Sequence, residues 1–323
     1  MTAGAPSRSY RSRSVGARLV AVPDRVAELA RDQHGVLSRD QLRAAGFGPD
    51  HVRAAVRARR WQAFGRRVVV LHNATLSSRQ REWVAVLVAG KPVALAGLTA
   101  AAAAGLTGFS SDRVHVLVAG DSNAGWPPWV QVHNSNRFAP RDVQANTSPP
   151  RTRTARAVVD AASWSASPRR ACAIVCAAVQ QRITATDRLA VELRLAGAVR
   201  HAGVLRALLG DIAGGGRTLA EIGLATLARR AGLLPPRRKV LRREPDGRAR
   251  YLDAEFDLAD GTVLAVEVDG SAHLEPLTWW DDMARQNVHT INGLLTLRVG
   301  SMAIRLAPDL VVDQLRRVRQ AHE

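Results

Sequence analysis

Residues 250–270 decide how the C-terminal third of this chain folds, and they read RYLDAEFDLADGTVLAVEVDG. Two runs in which apolar residues alternate with polar ones flank the turn Ala259-Asp260-Gly261, a pattern that is typical of a β-hairpin. The Asp-Gly pair favours a three-residue loop, in which a type I turn is followed by a glycine in the left-handed region. We therefore expect two antiparallel strands joined by this loop.

The loop length determines which residues of the two strands pair. Counted outward from a three-residue loop, Asp257 faces Val263 and Asp253 faces Glu267, so that Asp253, Glu267 and Asp269 share one face of the sheet. A two-residue loop would shift the pairing by one residue and separate Asp253 from Glu267. We prefer the longer loop because it keeps the opposite face wholly apolar, with Leu252, Ala254, Phe256, Leu264, Val266 and Val268.

The three carboxylates of this face favour a metal site. Acidic side chains opposite each other on adjacent strands repel, unless a cation lies between them. Mg²⁺ takes one or two carboxylates together with waters and a substrate phosphate, and Mn²⁺ is an alternative ion. Such an ion can polarise a phosphodiester and lower the pKa of a bound water. The competing interpretation is an exposed acidic strand face without function, which we consider weaker because clustering acids in a basic chain is costly.

The same region resembles a bacterial domain family related to the very-short-patch-repair endonucleases. The resemblance covers residues 219–318, and it depends on Glu221, Tyr251-Leu252-Asp253, Val266-Glu267-Val268-Asp269-Gly270, His273, Asp282-Met283-Ala284-Arg285-Gln286-Asn287 and the segment from Gly293 to Arg298. This family belongs to the PD-(D/E)XK nuclease superfamily, whose fold is a mixed sheet flanked by helices. The resemblance therefore implies a restriction-endonuclease-like α/β domain.

The resemblance also implies roles for individual residues. Asp253 and Glu267 would be the metal ligands, and Glu221 would approach the metal-bound water from the first helix of the domain. His273 would assist proton transfer, and Arg285 would contact the scissile phosphate or the carboxylates. These residues would together make a metal-dependent endodeoxyribonuclease.

One position departs from the pattern of the superfamily. Asp269 stands where the wider superfamily has a lysine, and the only lysines of the chain are Lys91 and Lys239. Lys239 lies on the preceding predicted strand and could substitute only if it points into the site. An inactive nuclease-like domain is therefore the alternative to cleavage.

The N-terminal third predicts a winged helix-turn-helix. Helical patterns cover residues 24–33, 39–45 and 50–59, with Ser38 and Asp50 as caps of the second and third helices, and a strand-like pattern follows at 61–71. Between Arg53 and Arg67 there are six arginines and no acid. The expected DNA-binding residues lie at the start of the second helix, on and just after the third helix and at the turn of the hairpin: Arg39, His51, Arg53, Arg57, Arg59, Arg60, Arg66 and Arg67. An ordinary three-helix domain in an arginine-rich chain is the alternative.

This segment resembles the N-terminal domain of AbiEi-family antitoxins. The resemblance depends on residues 35–42, Ala45-Gly46, Val52-Arg53 and 61–70. It implies binding to double-stranded DNA, repression of the protein's own operon and a cognate toxin as partner. Phage defence or a toxin–antitoxin locus would be the biological setting.

Composition sets the remaining expectations. The chain has 323 residues, with 46 Lys and Arg against 28 Asp and Glu, and its formal charge of +18 favours a polyanionic partner. Two cysteines are too few for a disulfide scaffold, and no apolar run is long enough for a bilayer, so we expect a cytoplasmic protein without a membrane partner. The predicted class is α+β multidomain, with a flexible basic arm (1–20), the winged helix (21–75), an αβ and then helical connecting region (76–213) and the nuclease-like domain (214–323).

In the connecting region we expect helices over 76–89, 93–104, 154–162 and 168–197 and strands over 114–118 and 130–132. Two of its histidines, His115 and His133, are expected to lack partners, and no residue of this region has the spacing of a catalytic group.

Overall fold

The computed structural model describes residues 24–90, 92–120, 125–213, 217–243, 249–269 and 295–323. The chain divides into two compact units, Met1–Asp160 and Ala161–Glu323, each of which contains helices and strands. The predicted α+β class is therefore confirmed. The predicted boundaries after residues 75 and 213 lie inside these units, and the predicted basic arm lies outside the described residues. No helix in the described ranges is long and apolar enough to cross a membrane.

The first unit begins with three helices and a hairpin. Its elements in chain order are α1 (Asp24–Asp32), β1 (Val36–Ser38), α2 (Arg39–Ala44), α3 (Pro49–Arg57), β2 (Gln62–Phe64), β3 (Val68–Val70), α4 (Ser78–Ala89), β4 (Val93–Leu95), α5 (Gly97–Ala103), β5 (Val114–Val118), β6 (Val130–Asn134) and α6 (Thr154–Trp164), of which the last continues into the second unit.

Local side-chain chemistry explains where α2 and α3 begin. Ser38 caps α2 as predicted, because its Oγ accepts a hydrogen bond from the backbone N–H of Gln41 at 3.1 Å and the Gln41 side chain accepts one from the Ser38 N–H at 2.7 Å. The prediction that Asp50 caps α3 is wrong, since Gly48 is the N-cap and Pro49 occupies the first turn. The fixed φ of proline suits the first helical position, so the helix begins before Asp50.

Strand β3 lies at the centre of a three-stranded antiparallel sheet with the order β1-β3-β2. Val69 packs into a core formed by the first three helices, with Leu42 and Val52 among its members. Val68 and Val70 pack on the other side of the sheet into a second core with Trp83 of α4. All three valines are fully buried, so the hairpin is fixed between two cores.

A second small sheet of this unit has the order β4-β5-β6, with β4 antiparallel and β6 parallel to β5. Residues 93–104 do not form one helix as predicted, because Val93–Leu95 pairs with β5 and α5 begins only at Gly97. The pairing of three buried apolar residues with β5 outweighs the helix propensity of the alanine-rich segment.

The second unit has a helical part followed by a four-stranded sheet. Its elements after α6 are α7 (Pro168–Gln180), α8 (Thr186–Ala196), α9 (Ala202–Ile212), α10 (Arg217–Arg230), β7 (Arg237–Arg243), β8 (Ala249–Asp257), β9 (Val263–Asp269), β10 (Leu295–Gly300), α11 (Ser301–Leu306) and α12 (Pro308–Ala321).

The sheet has the order β10-β9-β8-β7, in which β7, β8 and β9 are antiparallel neighbours and β10 is parallel to β9. The predicted hairpin register is confirmed: Asp257 pairs with Val263 and Phe256 with Leu264. The three-residue loop is also confirmed, because the Leu258 N–H donates to the Thr262 carbonyl at 2.9 Å and Gly261 has a φ of +83°.

The predicted apolar face forms the core of this unit. Ala254, Phe256, Leu264, Val266 and Val268 are buried against α10 and α12. On α12, Leu310 is 64% exposed, whereas Val312 is buried. The helix reaches the core through Val311, Val312 and Leu315, and Val318 packs against the same core.

Candidate functional site

The outer face of α3 presents basic side chains to solvent. His51, Arg53 and Arg57 are exposed on this helix, whereas Val52 and Ala55 face the core, as predicted. Arg59 and Arg60 follow the helix and are exposed as well. Arg59 has a φ of +50°, which lies in the left-handed region that is unfavourable for residues other than glycine.

Two contacts restrict the side chains of this face. Arg53 forms an exposed ion pair with Asp50, one turn earlier on α3. The His51 ring lies 5.0 Å from that of Phe47 and 5.7 Å from that of Trp61, so it partly serves packing. Because exposed ion pairs contribute little free energy, Arg53 remains available to another anion.

The remaining predicted basic residues lie at the hairpin turn and at the start of α2. Arg66 and Arg67 are exposed, and Arg39 is half-buried at the first position of α2. The Arg67 guanidinium lies directly over Gly90, at a place where a Cβ atom would be only 2.4 Å from it. Arg67 therefore packs against the C-terminus of α4, and it also lines a surface groove of about 460 Å³ with Ser38 and Asp40.

The second candidate site lies on the sheet face opposite the core of the second unit. Glu267 of β9 is nearly buried, with 13% of its side chain exposed, and its Oε2 lies 3.6 Å from Nε of Arg298. These two residues are direct register partners on the parallel strands β9 and β10. Sequence reasoning missed Arg298, because the partner of Glu267 across a parallel pair depends on a crossover whose register no local pattern fixes.

A second glutamate of this face is completely buried. The side chain of Glu255 has no exposed surface, and its Oε2 lies 3.8 Å from the guanidinium of Arg237, which also binds Asp257. Glu255 is paired with Ala265 and thus lies on the same face as Glu267. Glu255 is not among the predicted site residues, although its alternation with Ala254 and Phe256 places it on this face.

The other predicted residues of this site are described only in part. The described register ends at Ala254↔Val266, and its extension by one residue would set the backbone of Asp253 opposite Glu267. The side chains of Asp253, Asp269 and Glu221 lie outside the described part of the structure. His273 and Arg285 lie wholly outside the described residues.

The prediction that His115 and His133 lack partners is wrong. Their rings are nearly parallel, with 10° between the planes, and His115 Nδ1 lies 3.1 Å from His133 Nε2. The other ring nitrogen of His115 lies 3.0 Å from the hydroxyl of Ser111. Burial lowers the pKa of both histidines, and the His133 pKa falls to about 4.

No family model, curated protein or solved structure matches this chain. Among the side chains that the structure describes, no group of three or more His, Cys, Asp or Glu residues is arranged to hold a metal ion.

Proposed function

We propose that this protein binds double-stranded DNA through its N-terminal unit and hydrolyses phosphodiesters with a Mg²⁺-dependent site on the four-stranded sheet. A cytoplasmic role in phage defence or a toxin–antitoxin locus is part of the proposal and depends on the resemblances described above.

The topology of the first unit supports a winged helix-turn-helix. Three helices precede a hairpin, and the segment β1 before α2 pairs with the second hairpin strand. In proteins with this arrangement the third helix docks in the major groove. Here α3 presents Arg53 and Arg57 to solvent, which fits contacts with phosphates.

The observation that carries the nuclease proposal is the register of the β8–β9 hairpin. It aligns the acidic positions of both strands on the face opposite the core, with Glu267 described there and Asp253 as its expected partner. The sheet is also mixed, as the resemblance to a PD-(D/E)XK-like domain implies, because β7, β8 and β9 are antiparallel neighbours and β10 is parallel to β9.

The donors present on this face fit a hard divalent cation. Carboxylate oxygens are the preferred ligands of Mg²⁺, and one or two of them suffice when waters and a phosphate complete the shell. Glu267 is sufficiently buried to be preorganised, and Asp253 would supply the second carboxylate. The bound ion would lower the pKa of a water and polarise the phosphodiester. In this proposal Glu221 approaches the metal-bound water and His273 assists proton transfer. Asp269 occupies the position of the superfamily's lysine, and Arg285 contacts the scissile phosphate or the carboxylates.

A plasmid-nicking assay tests the proposal. Supercoiled DNA is incubated with the full chain and Mg²⁺ or Mn²⁺, and the native protein is compared with D253A and E267A. We expect nicking that EDTA abolishes and that both substitutions remove. D257A is the matched control, because it removes a carboxylate from the same strand without touching the proposed ligands. Nicking that survives in E267A would refute the assignment of the site.

A second candidate function is a repressor or antitoxin with a non-cleaving domain. The contact between Arg298 and Glu267 favours it, because a guanidinium next to a carboxylate supplies the positive charge that a metal would otherwise provide. This alternative predicts tight, salt-sensitive binding to operator DNA and to a cognate toxin, with no nicking by the native chain.

A further inference from the structure

Three side chains of the segment before β5, of β5 and of β6 form a hydrogen-bonded chain that the function proposed above does not use. Ser111 precedes β5, His115 is its second residue, and His133 lies diagonally across on the parallel strand β6. The Ser111 hydroxyl lies 3.0 Å from Nε2 of His115, and Nδ1 of His115 lies 3.1 Å from Nε2 of His133. One imidazole is therefore placed between a hydroxyl and a second imidazole.

The backbone around this chain fixes its members. The Arg113 N–H donates to Ser111 Oγ at 3.2 Å, which directs the hydroxyl proton away from the backbone and towards His115. The His115 N–H donates to Thr99 Oγ1 at 2.8 Å, which anchors the strand beneath the ring. The parallel register pairs His115 with Gln131 and Leu117 with His133, so that His133 lies diagonally opposite His115.

The distances allow either partner of each contact to hold the proton, and the arrangement that suits a nucleophile has the Ser111 hydroxyl as the donor. Nε2 of His115 accepts from the Ser111 hydroxyl, and Nδ1 of His115 donates to Nε2 of His133. Both rings must be neutral for this arrangement. Burial and the nearby Arg113 lower the His115 pKa, and burial and His115 lower the His133 pKa to about 4, so both are neutral at pH 7.

We propose that Ser111 is a nucleophile activated by His115 and that His133 orients the His115 ring. This is the relation of nucleophile, base and orienting group found in covalent catalysis by hydroxyl groups. Ser111 would be the catalytic nucleophile, His115 the general base and His133 a positioning residue. The site is independent of metal ions and of the proposed nuclease site.

The reaction is acyl transfer from an ester. Ser111 Oγ forms a bond to the carbonyl carbon, and its proton moves to Nε2 of His115. The ester C–O bond breaks, and the same proton passes to the leaving alkoxide, which departs as an alcohol. Water then attacks the acyl-serine, returns a proton to Ser111 through His115 and releases the carboxylic acid.

The surroundings define the class of substrate. Ser111 is exposed at the surface, so the carbonyl must be sterically accessible, as in a small ester. The guanidinium of Arg113 donates to Gln131 Oε1 at 2.8 Å on the neighbouring strand and is held near His115, where its charge favours an anionic tetrahedral intermediate. The low basicity of His115 predicts slow turnover.

A fluorophosphonate probe tests the proposal, because it reports nucleophilicity without requiring a natural substrate. Its phosphorus bonds to an activated hydroxyl oxygen, and fluoride leaves with the hydroxyl proton as HF. The full-length protein is treated with the probe at pH 7.5, and the adduct is located by peptide mass spectrometry. We expect one adduct, on Ser111, and none in S111A. S110A is the matched control, since Ser110 is the adjacent exposed serine.

Two substitutions of the histidines separate activation from mere exposure. H115Q should lower the labelling rate by about 100-fold or more, the usual contribution of a general base, and H133N should lower it less. Circular dichroism verifies that both variants are folded. The proposal is overturned if Ser111 labels no faster than Ser110 in the native protein, or if H115Q that is shown to be folded labels at the native rate. EDTA should have no effect on labelling, so failure of the nuclease proposal would leave this test intact.

Discussion

Substitution of both arginines on the outer face of α3 gives the sharpest test of DNA binding by the first unit. Arg53 and Arg57 are exposed, and neither contributes to the core, so R53A/R57A should fold normally. Each phosphate contact contributes about 0.9 to the slope of log K against log salt concentration. Removal of two contacts should therefore lower the slope by about 1.8. Between about 50 and 200 mM salt, the factor by which the DNA affinity falls should therefore be about 12-fold smaller for the variant than for the native protein.

The pair between Arg53 and Asp50 adds a second, opposite expectation. Asp50 forms an ion pair with Arg53, which is a predicted DNA contact, and the Asp50 side chain is 90% exposed. D50N frees Arg53 and removes a negative charge, so it should raise DNA affinity. Loss of the aspartate should leave helix initiation unchanged because Gly48, not Asp50, is the cap.

Fluorescence anisotropy with a labelled duplex, measured across a salt series, checks both variants. R188A/R194A is the matched control, since it removes two exposed arginines from α8 and causes the same change of net charge. A salt slope in R53A/R57A equal to that of the native protein would refute the assignment of α3 as the contact surface.

Three further predictions concern stability and its coupling to function. R59G should relieve the left-handed backbone strain at Arg59 and stabilise the fold by about 0.5 kcal/mol, while it weakens DNA binding. Urea unfolding measures the first effect and fluorescence anisotropy the second. A rise in both stability and DNA affinity would argue against a DNA contact by Arg59. F256A should lower the free energy of unfolding by about 3–5 kcal/mol because Phe256 is fully buried in the core of the second unit, and a loss below about 1 kcal/mol would contradict that packing. The histidine pair should make the stability depend on pH, because the pKa values of His115 and His133 in the folded protein lie below the unfolded value of 6.5. The contribution of the pair to the free energy of unfolding is complete above pH 6.5 and is lost as the pH falls towards about 4. Thermal melts should therefore show a smaller loss of stability at acidic pH in H133N than in the native protein.

The features that the sequence predicted correctly depend on local chemistry. The loop Ala259-Asp260-Gly261 fixes the register of its own hairpin, because a glycine with positive φ ends a three-residue loop. The capping interaction of Ser38 likewise involves only residues within one turn. In both cases the residues that interact are close in the chain, so the local sequence is sufficient to predict the interaction.

The features that the sequence did not predict depend on contacts between distant segments. Val36–Ser38 is a strand only because β3 lies beside it, and its three residues show no periodicity of their own. The contact between His115 and His133 requires the parallel register of β5 and β6, and that of Glu267 with Arg298 requires the register of β9 and β10. Parallel pairs are joined by long crossovers, whose geometry is set by tertiary packing.

The position of β3 between two cores has a consequence for how any duplex would be recognised. Because Val69 is anchored on one side and Val68 and Val70 on the other, the hairpin cannot swing to follow the curvature of a bound helix. Adjustment must then come from the nucleic acid, which bends or narrows its grooves at an energy that depends on its sequence. On the proposed function, a hairpin held in this way would select its target through the deformability of the DNA, including base pairs that it does not contact.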